Sequence, residues 1–208
     1  MLRLCFYTNM NLPSNYFLQN DVVFIAKDLL GKYLFTTIDG QIAGGIITET
    51  EAYKGTDDKA SHAYHGRRTL RNEMMYHEGG VIYVYQCYGI HYMLNFVTNL
   101  KDIPDAILIR GIFPTHGGEL MLCRTGKAKL NANLTDGPGK VAKALGINKS
   151  HNGLSLSSPT IWVEDRQLVI PEKAINNTPR IGVDYAGEDA LLPYRFVIAQ
   201  ATDLLANI

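Results

Sequence analysis

Apolar and polar positions change period several times along the 208 residues. Over Asn20–Leu30 (NDVVFIAKDLL) apolar residues recur at helical spacing, Asn and Asp stand at the N-cap, and Gly31 closes the run, which predicts a helix. The period then shortens to that of strands. Lys32–Ile38 and Gln41–Glu51 flank Asp39-Gly40, a dipeptide that tolerates positive φ and so predicts a tight hairpin. Val81–Tyr88 and His91–Thr98 are rich in aromatic and β-branched residues and read as strand, bend at Gly89, strand. Ala106–Phe113 (AILIRGIF) reads as a buried strand that carries one arginine. Glu119–Arg124 predicts a short helix, and Gly139–Leu145, between Gly137-Pro138 and Gly146, predicts another. Ile161–Val163, Arg180–Tyr185 and Tyr194–Ala199 complete the expected strands, and Asn99–Asp105 and Thr125–Asp136 read as mobile loops. Without repeats or linker-like stretches, the pattern predicts a single mixed α+β domain over residues 1–208, with a curved, largely antiparallel β-sheet and peripheral helices.

One strand end carries unusual chemistry. In Thr48–Tyr53 (TETEAY), strand alternation puts Glu49, Glu51 and Tyr53 on one side and Thr48 and Thr50 on the other. Two carboxylates and a phenol then meet beside a polar loop, an arrangement that suits catalysis at the mouth of a cleft. Taken alone, the hexapeptide reads more readily as a solvated strand end.

Composition narrows the class. Hydrophobic residues make up 46% and mean hydropathy is −0.06, enough apolar material for a real core in a soluble chain. Twenty Lys+Arg balance twenty Asp+Glu, which gives the molecule no overall preference for a polyanion. The distribution is uneven, however. From Arg110 to His151 seven basic residues face only Glu119 and Asp136, and Arg67, Arg68 and Arg71 form a second cluster. The later segment Val163–Asp189 is acidic, so a phosphate-facing surface remains compatible with neutrality. Cys5, Cys87 and Cys123 are widely spaced and read as reduced thiols of a cytoplasmic protein. His62, His65, His77 and His91 lack HxxxH or HExxH spacing, so no metal site is expected. The opening MLRLCFYTN does not read as a signal peptide, and no apolar run reaches membrane-spanning length.

Downstream of Tyr53 the pieces multiply. TETEAY with its following SHA, the GRRTLRN loop, the YVYQCYG–N block, AILIR and DGPGKVAKALGINKS occur in one order and span most of Gly44–Ser150. In these the chain resembles the alkyladenine (3-methyladenine) DNA glycosylase family, the type first described from mammals and also found in bacteria. The resemblance implies excision of damaged purines from duplex DNA by hydrolysis of the N-glycosidic bond, without cofactor, metal or covalent enzyme intermediate. A stacked base is out of reach, so the nucleotide must be extruded into a pocket. Cleavage then builds oxocarbenium character on the sugar, and one carboxylate must activate water.

By this resemblance Glu51 is the general base and Arg110, at the end of AILIR, helps hold the water. Glu49 takes local hydrogen bonds. Tyr53, His62 and Tyr85 surround the extruded base, and aromatic faces suit alkylated purines because these carry delocalised positive charge. Asn95 opposes the 2-amino group of normal guanine. Tyr88 is the wedge that fills the space left in the duplex. Arg67, Thr69, Arg71, Ile90 and Lys149 fall at or near DNA-contacting positions. Three departures stand out: the Asn95–Arg110 interval is longer than in mammalian members, Glu73 enters the basic loop, and Tyr76 replaces a usual phenylalanine. No lysine matches a nucleophile position, which argues against lyase activity. The expected partner is duplex DNA with damaged purines, met by a monomer. A damage-binding module without turnover and a hydrolase of free nucleosides are the competing readings.

Overall fold

In the computed structural model, which describes residues 10–205, the Asp21 carboxylate accepts from the Val23 and Phe24 amides and so starts α1 (Val22–Asp28). β1 (Tyr33–Ile38) and β2 (Gln41–Tyr53) form the expected hairpin, with Asp39 and Gly40 both at positive φ, 54° and 71°. β3 (Ile82–Cys87), β4 (His91–Thr98) and β5 (Asp105–His116) follow as a meander. Then come α2 (Gly118–Thr125) and α3 (Pro138–Leu145), the latter with proline where a helix has no use for an N–H. β6 (Ile161–Glu164), β7 (Ile175–Thr178), β8 (Arg195–Ile198) and α4 (Ala201–Leu205) finish the described chain. Cys5 and the opening nonapeptide lie outside the described residues. No described helix is long and apolar enough to cross a membrane.

The eight strands join one open sheet in the order β3-β4-β5-β2-β1-β6, with β8 on β2 and β7 on β8, and every strand pairing is antiparallel. The fold is therefore α+β, as the hydrophobic pattern predicts. β2 is the organising strand. β5 runs along one edge of it, while β1 and then β8 share the other. The β2–β5 approach is close at Gly45, where a Cβ would sit 2.2 Å from the Phe113 carbonyl oxygen, so only glycine fits.

Strand alternation sorts the two faces. One face packs Leu94, Phe96, Ile107 and Ile109 against Ile25 and Leu29 from the α1 region and Leu145 of α3. The other face begins with a smaller cluster of Met75, Tyr76, Tyr83 and Ala106. One expected strand is absent: Arg180–Tyr185 is a bend that leads into a 3-10 helix, and the strand that pairs with β8 is Ile175–Thr178 instead. Pro179 removes a ladder donor at that point, and Gly182 sits at φ 75°.

At the start of β5, Asp105 is buried and accepts from the Asn99 side-chain amide at 3.0 Å. Burial, aided by Asp57 and Asp21, pushes its carboxyl up to about 6, against the pull of Asn99 and Lys54. A folded-state value above the unfolded one gives stability that is complete below pH ~4 and lost as pH rises through ~6. Asp105→Asn keeps an acceptor without the charge. It is expected to melt a few degrees above the parent at pH 8, a gain of at most about 3 kcal/mol. The gain should vanish near pH 4, and melts at both values check it.

Candidate active site

The second face of the sheet gathers one transverse row of side chains. Tyr83 pairs with Asn95, Asn95 with Leu108, Leu108 with Glu51, and Glu51 with Arg195, so a single line crosses β3, β4, β5, β2 and β8. Tyr53 and Tyr85 stand two residues further along β2 and β3, on the same face. Above this row lies a cavity of about 430 Å³, walled by Tyr53, His62, Tyr85, Asn95, Arg110 and Tyr185, among others. Its size and the five tyrosines in its lining suit a planar organic ligand.

The carboxylates behave differently from a solvated strand end. Glu51 is 0% exposed and is not itself part of the cavity wall. Its Oε2 accepts from the Tyr53 hydroxyl at 2.8 Å and from Arg110 Nη1 at 3.4 Å, and its Oε1 accepts from the Ile181 amide at 2.8 Å. Tyr53, Arg110 and Ile181 all line the cavity, so Glu51 sits one layer behind it. Burial lifts its pKa above the ordinary carboxylate range, although Arg110, the Ile181 amide and the Tyr53 hydroxyl pull the other way. Glu49, across two β-bulges from the regular β2–β5 register, binds Arg110 Nε at 2.8 Å and Arg195 Nε at 2.6 Å. Burial lowers the Arg110 pKa, but Glu51 and Glu49 outweigh it and hold the guanidinium charged.

The aromatic wall is just as specific. His62 meets Tyr85 edge to face with centroids 4.6 Å apart, and its Nδ1 is 3.0 Å from the Tyr83 hydroxyl. Burial and the charges of Arg71 and Arg67 lower His62 to about 4, which keeps the ring neutral at pH 7. The Asn95 Nδ2 donates to the Tyr83 and Met93 carbonyls at 3.1 and 3.4 Å, so the amide is pinned in the wall.

At the rim, Tyr88 is 90% exposed at the β3–β4 tip, with φ 51° beside Gly89 at φ 71°. A tyrosine in the left-handed region costs of order 1 kcal/mol, and such strain concentrates at working positions. Ile90 is exposed next to it. Arg67, Thr69 and Arg71 line an adjoining polar cavity of about 330 Å³ that shares His62, Arg71 and Tyr185 with the first. Asn72 shapes this loop: its Oδ1 accepts from the Thr69 amide and hydroxyl, and its Nδ2 donates to the His62 and Arg67 carbonyls. Glu73, the acidic departure in the loop, is taken up by Arg68, which also binds Asp102. Tyr76 earns its hydroxyl by donating to the Arg67 carbonyl at 2.9 Å. Lys149 is exposed in a one-turn 3-10 helix and lines neither cavity.

Comparison with known proteins accords with this geometry. The family model described as methylpurine-DNA glycosylase matches residues 16–202. The chain belongs to the methylpurine-DNA glycosylase family. Relatives include proteins from Chlamydia felis, 48% identical over 188 residues (90% of this chain, 95% of the relative), and Clostridium perfringens strain 13, 43% over 190 residues (88% and 93%). A third, from Bacillus cereus strain ZK, is 40% identical over 195 residues (90% and 95%). Each is named as an inferred 3-methyladenine DNA glycosylase. The protein is thus a DNA-repair enzyme of the base excision type, a hydrolase of N-glycosyl bonds.

Several parts of the candidate site escape a reading of the sequence. Ile181, Tyr185 and Arg195 reach Glu51, the cavity wall or Glu49 from segments that carry no chemical signature, and Tyr83, which meets His62, opens the YVYQCYG block without a role assigned to it. Tyr83 alone had a signal: it shares strand parity with Tyr85.

Proposed function

We propose that the glycosylase excises alkylated and deaminated purines, of the 3-methyladenine, 7-methylguanine, hypoxanthine and ethenoadenine class, from duplex DNA. It acts as a monomer alongside the chromosome in the cytoplasm. The observation that carries this reading is the aromatic cavity backed by the Glu51–Arg110 pair and rimmed by an exposed tyrosine on a strained turn.

Tyr88 enters the stack and fills the gap as the nucleotide swings out. Arg67, Thr69 and Arg71, with Ile90 and Lys149 beyond the cavities, hold the backbone without reading sequence. Tyr53, His62 and Tyr85 enclose the base. A neutral His62 fits here, because an imidazolium would repel a cationic methylpurine. Asn95, tied to two carbonyls, cannot swing away from a 2-amino group and so disfavours normal guanine, whereas 7-methylguanine, which carries the same group, is released because its cationic ring weakens the glycosidic bond. Glu51 then takes a proton from water as the C–N bond breaks and a C–O bond forms at the sugar carbon. A cationic methylated purine leaves as a neutral base and needs no acid, whereas hypoxanthine and ethenoadenine leave as anions and take up a proton from solvent water. Water reaches Glu51 once the Ile181 amide or Arg110 yields one oxygen, since all three groups around it also face the cavity.

The test is base release from alkylated duplex against release from the matching free nucleoside. Preference for duplex by several orders of magnitude is expected, and equal rates would favour a nucleoside hydrolase. Binding without release would favour a damage sensor. Tyr88→Gly sharpens the comparison. It should slow release from duplex by about 10- to 100-fold if the wedge supplies a few kcal/mol of unstacking, with no fall in melting temperature because the strained φ is relieved.

A further inference from the structure

A buried ion pair behind the cavity has no part in the scheme above. The Asp58 and Arg180 side chains are 2% and 0% exposed. Arg180 forks onto both Asp58 oxygens, Nη2 reaching Oδ1 at 2.8 Å and Nη1 pairing with Oδ2. The same guanidinium donates to the Ala52 carbonyl at 2.9 Å and the Asp189 carbonyl at 3.1 Å. Asp58 in turn accepts from the Lys54 and Ala60 amides. One cation thereby ties together the end of β2, the turn that follows it and the segment around residue 189.

Its neighbours give this knot a direction. The Arg180 Cζ lies 4.8 Å from the centroid of the Tyr53 ring, whose hydroxyl donates to Glu51. The next peptide in the chain presents the Ile181 amide to the other Glu51 oxygen. Of the three groups that touch Glu51, two therefore hang on Arg180, and Arg110 alone is independent of it. A buried ion pair is a costly way to add stability, since an apolar pair of similar volume often does as well. Fixing two donors on one carboxylate is something an apolar pair cannot do.

We propose that Asp58 and Arg180 are positioning residues that set the Tyr53 hydroxyl and the Ile181 amide on Glu51. This rests on the reading of Glu51 as the general base. Loosening the knot leaves the carboxylate with fewer donors, which favours its protonated form. The chemical step then slows and its acid limb moves to higher pH. Contacts with undamaged DNA, made from the Tyr88 tip and the Arg67–Arg71 loop, stay as they are.

Two variants test this: Asp58→Leu/Arg180→Met, which keeps volume without burying a lone charge, and Arg180→Lys, which keeps the charge and loses the fork. Single-turnover release from methyl-labelled alkylated duplex is followed across pH, with melting and undamaged-duplex affinity alongside. The folded double variant is expected to lose about 10-fold or more in rate and to shift its acid limb upward by at least about half a pH unit. Arg180→Lys should fall between it and the parent, with affinity for undamaged duplex within about twofold. A folded variant with the parent rate and acid limb overturns the proposal, and if the double variant fails to fold, Arg180→Lys decides alone. Glu51→Gln run in parallel separates the two readings: full activity there removes the base assignment itself, whereas an inactive Glu51→Gln beside unaffected Arg180 variants removes only the positioning role.

Discussion

Glu51→Gln is expected to lower single-turnover release of methylated purines from duplex DNA by about 100- to 10,000-fold, the range that a positioned general base contributes. Binding of the lesion duplex should survive, because the carboxylate sits behind the cavity wall and is not part of it. The pH profile carries a second, independent signature. Burial raises the Glu51 pKa against the opposing pull of Arg110, the Ile181 amide and Tyr53. The parent rate should therefore fall on acidification at a pH above the ordinary carboxylate range, since a protonated carboxyl cannot accept a proton. Whatever activity remains in the Gln variant should lack that limb. Release near the parent rate would sink the mechanism.

Arg110→Met should damage both activity and stability. Arg110 is the only cation in hydrogen-bond contact with Glu51 among the described residues, and it also binds Glu49, to which Arg195 donates as well. Removing one partner of a buried charge cluster costs about 3–5 kcal/mol. Here Glu49 keeps Arg195 and Glu51 escapes part of the penalty by taking up a proton, so about 3 kcal/mol is expected, a fall in melting temperature of roughly 6–12 °C. That proton is the link to function. With its positive neighbour gone, Glu51 stays protonated to higher pH, and the rate at neutral pH should drop on the order of 100-fold, with partial recovery at alkaline pH. Arg110→Lys restores a charge without the planar fork and should recover stability more than rate. A melting point within about 2 °C of the parent, with an unmoved acid limb, would show that Glu51 does not depend on this pair.

The strands that carry the site were legible because each announces itself locally. Asp39-Gly40 sets a hairpin, AILIR sets a buried strand, and period-two spacing puts Glu49, Glu51 and Tyr53 on one side. What the sequence hid was depth. TETEAY ends a strand in a way that suggests exposure, yet Glu51 is sealed by Ile181 and Arg110, which lie 130 and 59 residues away in the chain. The segment that seals it has β-branched residues at strand spacing, yet Pro179 and Gly182 make Arg180–Tyr185 a bend. Asp58 and Arg180 illustrate the same limit: each looks like an ordinary surface charge until tertiary packing buries the pair.

The transverse row across five strands has a consequence for biosynthesis. Glu51 acquires its partners from positions 53, 110 and 181, and β2 acquires its last neighbour only when residue 195 arrives. A nascent chain that has emerged through β5 already holds the wall of Tyr53, His62 and Tyr85, yet it lacks the seal over the carboxylate. Pairings of such long sequence separation form late, after most of the loop entropy has been spent. The candidate site thus stays incomplete until the chain has passed β8, and a fragment that stops before Ile181 leaves Glu51 without one of its donors.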